Sequence, residues 1–284
     1  MIPVVEQISS GRLVCPLTRA RLERRGEGWA TLDGSRVYPD VRGVPILLSD
    51  REQWREFRDA QDSAPAGAKR LIHRVLAIGG DHRTVASMAA FRIAIADQPP
   101  GSLCISVGGG PARAHASLVN VNIGPFPGVD VVGDAHHLPY ADGSVDAIFC
   151  EAVLEHLERP DAAVAEMRRV LRRGGQVFAA TPFLQRYHGH PDHYQNFTLT
   201  GHRRLFERAG FNVLDCGTCV GPTYALTMLG GDYLREFVPT RALSRLAWAL
   251  FGIASVPLRY IDRVLPAEAA HVLASTTYVR AVVP

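Results

Sequence analysis

Gly133-Asp134-Ala135-His136-His137-Leu138-Pro139-Tyr140-Ala141-Asp142-Gly143-Ser144-Val145-Asp146-Ala147-Ile148-Phe149 runs from a short apolar strand, about 129 to 132, through a polar turn into a second strand at 145 to 150. Beyond it, Glu151-Ala152-Val153-Leu154-Glu155-His156-Leu157 leads to a helix at 160 to 173. Pro160 stands in the first turn of that helix, and Val164, Met167, Val170 and Leu171 line one face. Arg168, Arg169, Arg172 and Arg173 sit near its C-terminal end, where cations favour the dipole, and Gly174 stops it. A strand at 176 to 181 follows, and two more precede, at 102 to 107 and about 118 to 123. Strand and helix alternate, so the fold class is α/β, a parallel sheet with helices on both faces.

Composition narrows the function classes. The 284 residues are 47% hydrophobic and 21% charged, enough to bury a sizeable core. The net charge is only +3, and of 31 basic residues all but Lys69 are arginines spread along the chain, so no nucleic acid is expected as a partner. Five cysteines without a regular framework, and an N-terminus MIPVVEQISS lacking an apolar core, point to a cytoplasmic location. The longest apolar run lies between Arg245 and Arg259; it is shorter than the ~20 residues of a membrane span and reads as a buried core helix, with a bilayer-surface segment as the alternative.

Three regions are expected: a β-rich leader over 1–50, a charged linker over 51–70 and one α/β domain over 71–284. Helices at 69 to 77 and 84 to 97, broken at Gly79-Gly80, introduce the domain. A helix at 200 to 209 feeds a strand at 211 to 214, and a last strand spans 275 to 283. The stretch 220–271 between these two strands is far longer than an ordinary loop and reads as a helical insertion.

The glycine turn Ser106-Val107-Gly108-Gly109-Gly110-Pro111-Ala112 follows a strand, where glycines let the backbone run close to a ligand. A dinucleotide fingerprint requires glycine or alanine at position 113, which is arginine, and no acidic residue closes the second strand, so a dehydrogenase is disfavoured. With 133–149, 151–157 and Arg169-Val170-Leu171-Arg172-Arg173-Gly174-Gly175 in order, the segment 102–183 resembles the Rossmann-like class I S-adenosylmethionine-dependent methyltransferases of the small-molecule and quinone-modifying kind. The resemblance implies S-adenosylmethionine as cofactor. It implies that Gly108, Gly109 and Gly110 pass under the methionine part, with Ser106 beneath, that Asn122 faces the ribose and that Asp134 and Ala135 meet the adenine edge. Cys150 and Glu151 would lie near the transferred methyl group. Where the family carries two carboxylates, this chain has Ser106 and Asn122; a carboxylate accepts from both ribose hydroxyls more strongly than an amide, so weaker cofactor binding is expected.

The leader is similar to the zinc-ribbon-like leader found before several methyltransferases, ending in Tyr38-Pro39 and Gly43-Val44-Pro45-Ile46-Leu47-Leu48. Its Cys15-Pro16-Leu17-Thr18 has one cysteine where a knuckle needs two, so no zinc is expected there.

The loop Phe183 to Thr198 should overhang the same crevice. A related subset of the family has a similar His-x-x-Pro-x-x-Tyr-x-x-x-Thr stretch there, which implies contact with substrate. His188 and His193 are the candidate general bases, and Tyr187, His190 and Tyr194 the candidate substrate contacts. Two other readings stay open: a structural loop whose histidines bond the backbone, and a metal site of His188, His190, His193 and Asp192, with or without Cys216 and Cys219. The assignment adopted here has no metal. His156, next to Glu155, reads as packing or capping as readily as catalysis, and Cys216 and Cys219 precede a loop-like Val220-Gly221-Pro222, which speaks against redox chemistry.

The leading expectation is methyl transfer to an oxygen or nitrogen of a small molecule or sugar-containing metabolite. The alternative is a degenerate methyltransferase fold that binds a partner, or uses the cofactor without methyl transfer. A third reading, ribosomal RNA methylation, comes from the leader's likeness to that of a guanine-modifying enzyme. The insertion is left three roles: covering the crevice, forming a homodimer or touching a membrane surface.

Overall fold

A computed structural model describes residues 1–49, 82–110, 113–189 and 192–284. The expected linker, the helix at 69 to 77 with its Gly79-Gly80 break, Pro111-Ala112 and His190 lie outside the described residues.

Helix α1 (Val4–Ser9) precedes four short strands, β1 (Leu22–Arg25), β2 (Gly28–Thr31), β3 (Val37–Val41) and β4 (Val44–Leu47). Helix α2 (Val85–Phe91) continues as a π-helical turn to Ala96 and leads to β5 (Cys104–Val107), β6 (Leu118–Asn122), β7 (Val131–Gly133) and β8 (Val145–Glu151). Then come α3 (Pro160–Val170), β9 (Leu171–Pro182), α4 (Leu199–Arg208), β10 (Asn212–Val220), α5 (Pro222–Phe237), α6 (Arg241–Arg259), α7 (Ala267–Ala270) and β11 (Thr276–Val282).

The strands form one sheet in the order β1-β2-β3-β4-β7-β6-β5-β8-β9-β11-β10. From β4 to β9 all pairs are parallel, and β11 lies antiparallel between β9 and β10. Within it, β7-β6-β5-β8-β9 has the 3-2-1-4-5 winding of a Rossmann-like sheet, which reverses direction between β5 and β8. Every residue of β5, β6 and β7 is buried, as parallel strands covered on both faces require. Alternate residues feed different layers: Ile105, Val107, Val119 and Val121 join Val164, Met167 and Phe206 on one side, while Cys104, Leu118, Phe149 and Phe178 join Ala94 and Tyr278 on the other.

The leader shares this core. Leu13, Cys15, Trp29, Tyr38 and Leu47 pack in the cluster that holds Ile105 and Val121, and β4 extends the parallel sheet by pairing Ile46 with Val132 and Leu47 with Gly133. Cys15 Sγ lies 3.0 Å from the Tyr38 hydroxyl and accepts from the Thr18 amide.

Two boundaries and the burial of one helix differ from expectation, each for a local reason. Helix α3 stops at Val170, because Leu171 turns extended to pair with Val145, so Arg172 and Arg173 belong to the strand. Strand β10 runs to Val220 rather than ending at Leu214. It stays paired with β11 by shifting register twice, and Pro222 starts α5 directly, so Cys216 and Cys219 lie on a strand followed by a helix. The apolar run in α6 is not a core helix: Leu246, Leu250 and Ile253 are more than half exposed, while Trp248 and Phe251 pack on Gly231 and Gly230 of α5. Among the described residues no helix is long and apolar enough to cross a membrane.

His202 of α4 is fully buried, its Nδ1 3.1 Å from Thr277 Oγ1 and its Nε2 without a partner. Burial pushes its pKa down to about 3. Between the ordinary imidazole value near 6.5 and that lowered one, the unfolded chain binds a proton that the folded chain refuses, so stability falls as pH drops. Urea unfolding should lose up to about 1.4 kcal/mol per pH unit from this group between roughly pH 6 and 4. His202→Gln should flatten that slope; equal slopes in the two proteins would contradict the assignment.

Candidate functional site

The carboxyl ends of β5, β6 and β8 meet at the winding reversal, where ligands lodge in open α/β sheets. At the end of β5, Gly108 has φ +72° and its amide donates to the Val121 carbonyl at 2.8 Å. A Cβ at Gly108 would lie 2.3 Å from Val153 Cγ2, so the turn rests directly on the segment leaving β8. At Gly109 a Cβ would meet Ser106 Oγ at 2.3 Å and Asn120 Oδ1 at 2.6 Å. Ser106 is therefore under the turn, its hydroxyl buried and without a hydrogen bond. Gly110, at φ +60°, has open space where its side chain would stand. Among the described residues no backbone acceptor takes the amides of Gly109 and Gly110.

Asn120, a residue the sequence reading passed over, fixes this turn. Its Nδ2 donates to the carbonyls of Gly110 at 2.8 Å and Gly128 at 3.1 Å. Arg113, which broke the dinucleotide pattern, forks onto both oxygens of Asp130 at 2.7 and 3.0 Å, and Asp130 also accepts the Asn120 amide. Asn122 ends β6, nearly buried, and among the described residues nothing hydrogen-bonds its side chain. Asp134 follows β7. Its Oδ1 accepts from the backbone and ring Nδ1 of His136, both at 2.9 Å, while Oδ2 has only His137 Nδ1 at 3.8 Å. Burial acts to raise the Asp134 pKa, but the bonds from His136 outweigh it and the net shift is downward. The bond to Asp134 raises the His136 pKa in turn. Ala135 beside them is half-buried against the main core.

Past β8 the backbone turns sharply, with Ala152 at φ +54° and its amide bound to the Ala180 carbonyl. Cys150 is buried, which raises its thiol pKa, and Glu151 is held bidentately by Arg83 at 2.8 and 2.6 Å. Neither side chain is thereby presented free to a ligand. A short 3₁₀ turn, Leu154–His156, then carries Glu155 into the interior, fully buried. Its Oε2 accepts from Thr181 Oγ1 at 3.1 Å and its Oε1 has no hydrogen-bond partner. Burial raises its pKa.

The loop after β9 folds back onto this turn: the Tyr194 amide donates to the Glu155 carbonyl at 2.8 Å and Gln195 Nε2 to that of Leu157 at 3.2 Å. His156, His188 and His193 then form a ring cluster, with centroids 5.1, 5.8 and 4.4 Å apart pairwise. Hydrogen bonds set their tautomers. His193 Nδ1 accepts from the His188 amide at 3.1 Å, so its Nε2 carries the proton given to Asn196 Oδ1 at 2.7 Å. Both nitrogens are spent, which removes His193 as a general base in this conformation and makes it the prop of His188. His188 Nδ1 faces the Arg186 carbonyl at 3.0 Å and His156 Nδ1 that of Asp192 at 2.5 Å. A carbonyl only accepts, so both rings carry a proton on Nδ1, and in the neutral form Nε2 keeps the lone pair. Those atoms lie 3.9 and 3.8 Å from Glu155 Oε1. Burial lowers the His188 pKa. Tyr187 stacks on His193 at 5.7 Å and, like Tyr194, is largely exposed. The site thus includes His156 and Glu155, which sequence reasoning left aside; the signal was an acidic residue beside a histidine, set between the apolar Leu154 and Leu157.

A family model described as "Methyltransferase domain" matches residues 111–179. The chain is 49% identical over 59 residues to malonyl-(acyl-carrier protein) O-methyltransferase of Methylococcus capsulatus, covering 19% of this chain and 22% of that protein. It is 36% identical over 110 residues to an uncharacterized methyltransferase of Mycobacterium marinum, covering 32% and 43% respectively. The chain thus spans less than half the length of these curated relatives. Among solved structures it is similar to phosphoethanolamine N-methyltransferase 2 of Haemonchus contortus, in complex with S-adenosyl-L-methionine, at 15% identity and TM-score 0.42, covering 70% of this chain and 52% of that one.

The Asp134–His136 pair makes a pH prediction. The raised His136 pKa contributes stability that is full below the unfolded value near 6.5 and lost as pH rises through the folded one; the lowered Asp134 pKa contributes above about 3.8 and is lost as pH falls. The pair therefore stabilises most between these limits. His136→Gln should cost more denaturation midpoint at pH 6 than at pH 8.5, and an equal cost at both would contradict the ion pair.

Proposed function

We propose that this chain is an S-adenosylmethionine-dependent methyltransferase acting on an oxygen or nitrogen of a small molecule or sugar-containing metabolite. The observation that carries the reading is the arrangement at the winding reversal: the glycine turn, Asn122 and Asp134 Oδ2 leave unspent polar groups along one carboxyl edge of the sheet. The Gly109 and Gly110 amides suit the methionine carboxylate, Asn122 the ribose hydroxyls and Asp134 Oδ2 the adenine amino group. The methyltransferase-domain match over residues 111–179 supports it.

When bound, the cofactor supplies an electrophilic methyl group on a sulfonium. An oxygen or nitrogen acceptor would give up a proton on methylation, and a base of the chain would take it. The chain's part is to align the two molecules and exclude water. Of the two expected bases, His188 keeps an Nε2 lone pair and His193 does not. Tyr187 and Tyr194, on the same loop, offer exposed rings to the acceptor.

Isothermal titration of ligand-free protein should show micromolar binding of S-adenosylmethionine and S-adenosylhomocysteine. Asn122→Asp should tighten both, by roughly tenfold if one charge-assisted pair of hydrogen bonds replaces a neutral pair. No binding of either ligand would overturn the reading, and binding unaffected by Asn122→Asp would remove residue 122 from the ribose.

A further inference from the structure

Three candidate ligand atoms converge at the carboxyl edge of the sheet. Glu155 Oε1 is fully buried and lacks a hydrogen bond, and it faces His156 Nε2 at 3.8 Å and His188 Nε2 at 3.9 Å. Ligand atoms of the three residues lie within 4.8 Å of one another, the one such cluster of three among the described residues. Each ring presents Nε2 because its Nδ1 proton goes to a backbone carbonyl, Asp192 for His156 and Arg186 for His188. The second carboxylate oxygen is held by Thr181.

At 3.8 and 3.9 Å, longer than the roughly 2.7–3.2 Å of a hydrogen bond, neither ring bonds to the carboxylate, and a cation among the three atoms would satisfy them together. Metal–donor bonds of about 2.0–2.2 Å place donors roughly 3.0–3.5 Å apart, so the two sides that meet at Glu155 Oε1, 3.8 and 3.9 Å, need a contraction of about half an ångström. Every outer contact a metal-ligating histidine needs is already made, since an Nδ1–H on a carbonyl fixes ring and tautomer. Two imidazoles and one carboxylate suit zinc or iron rather than calcium or magnesium, and three protein ligands leave positions open.

We propose that Glu155, His156 and His188 bind one divalent transition-metal ion of the zinc type, through Oε1 and two Nε2 atoms. The site corrects the metal reading of the loop sequence. His193 has no free nitrogen to ligate, and Cys216 and Cys219 lie on β10 outside the cluster; the carboxylate comes instead from the turn after β8. Rings partly exposed at 19% and 27% keep one side of the site open to solvent. Val153, two residues before Glu155, touches the glycine turn, so a bound ion would stand next to the proposed methyl-transfer site. There it would act as a Lewis acid on the acceptor oxygen, in place of His188 as base; that role rests on the methyltransferase reading, whereas metal binding does not.

The test uses the full chain without an affinity tag, stripped with a chelator and dialysed against Zn²⁺, with metal analysis and a Co²⁺ absorption spectrum. One zinc per chain is expected, with affinity lowered at least tenfold in both His156→Ala and His188→Ala and unchanged in His271→Ala. His271 is exposed and far along the chain, bonded only to the Glu268 carbonyl, and serves as the control. Absence of stoichiometric zinc in the wild type, or wild-type affinity in both variants, would overturn the site. Titrating S-adenosylmethionine into the same samples separates the two claims: zinc without cofactor binding keeps the metal site and removes the methyltransferase reading, and the reverse result does the opposite.

Discussion

The contact between Gly108 and Val153 sets the geometry of the whole candidate site. Because no Cβ fits between them, the turn after β5 and the segment after β8 are locked face to face. Everything else at the carboxyl edge is placed by one side or the other. Asn120 and Asp130 hold the glycine turn from β6 and the loop beyond it. On the other side, the left-handed Ala152 drops the chain into the 3₁₀ turn that buries Glu155. A parallel sheet buried on both faces gives this edge a rigid foundation, since its strands have no freedom to slide without exposing apolar layers.

A second lock holds the long connection from β7 to β8. Arg169 donates to the Leu138 and Tyr140 carbonyls at 2.9 and 2.8 Å and pairs with Glu166 and Asp142, while Glu166 accepts the Leu138 amide. From the opposite side the leader grips the same turn: Val14 donates to the Pro139 carbonyl, Ala141 to that of Arg12, and Tyr140 OH to Gln7 Oε1. A guanidinium with five donors in a fixed fork can satisfy several carbonyls of an irregular segment at once, which lysine cannot. Asp134 and Ala135, proposed to meet the adenine, are thus presented by a turn clamped from both ends, and the leader serves that clamp.

Much of this architecture was legible in the sequence because its signals are local. Pro160, the apolar face of α3 and the mostly apolar strands β5 to β8 each state their own conformation. What escaped depends on tertiary pairing. Arg172 and Arg173 look helical until Leu171 pairs with Val145, and β10 looks short until β11 lies beside all of it. The apolar run of α6 looks like core, yet its Trp248 and Phe251 need only the two glycines of α5, leaving the rest of the face exposed. In the site, residue types were readable and hydrogen-bond states were not. Nothing in a row of histidines says that His193 spends both nitrogens while His156 and His188 keep one each.

In the proposed reading the carboxyl edge of the sheet, between the glycine turn and the histidine loop, holds the cofactor. A crystal structure of the full chain soaked with S-adenosylhomocysteine tests it most directly. The amino-acid part should lie on Gly108 to Gly110, the ribose at Asn122 and the adenine against Asp134 and Ala135, with the sulfur facing the His156–His188 side. Ligand density elsewhere on the sheet, or an adenine placed away from Asp134, would contradict it.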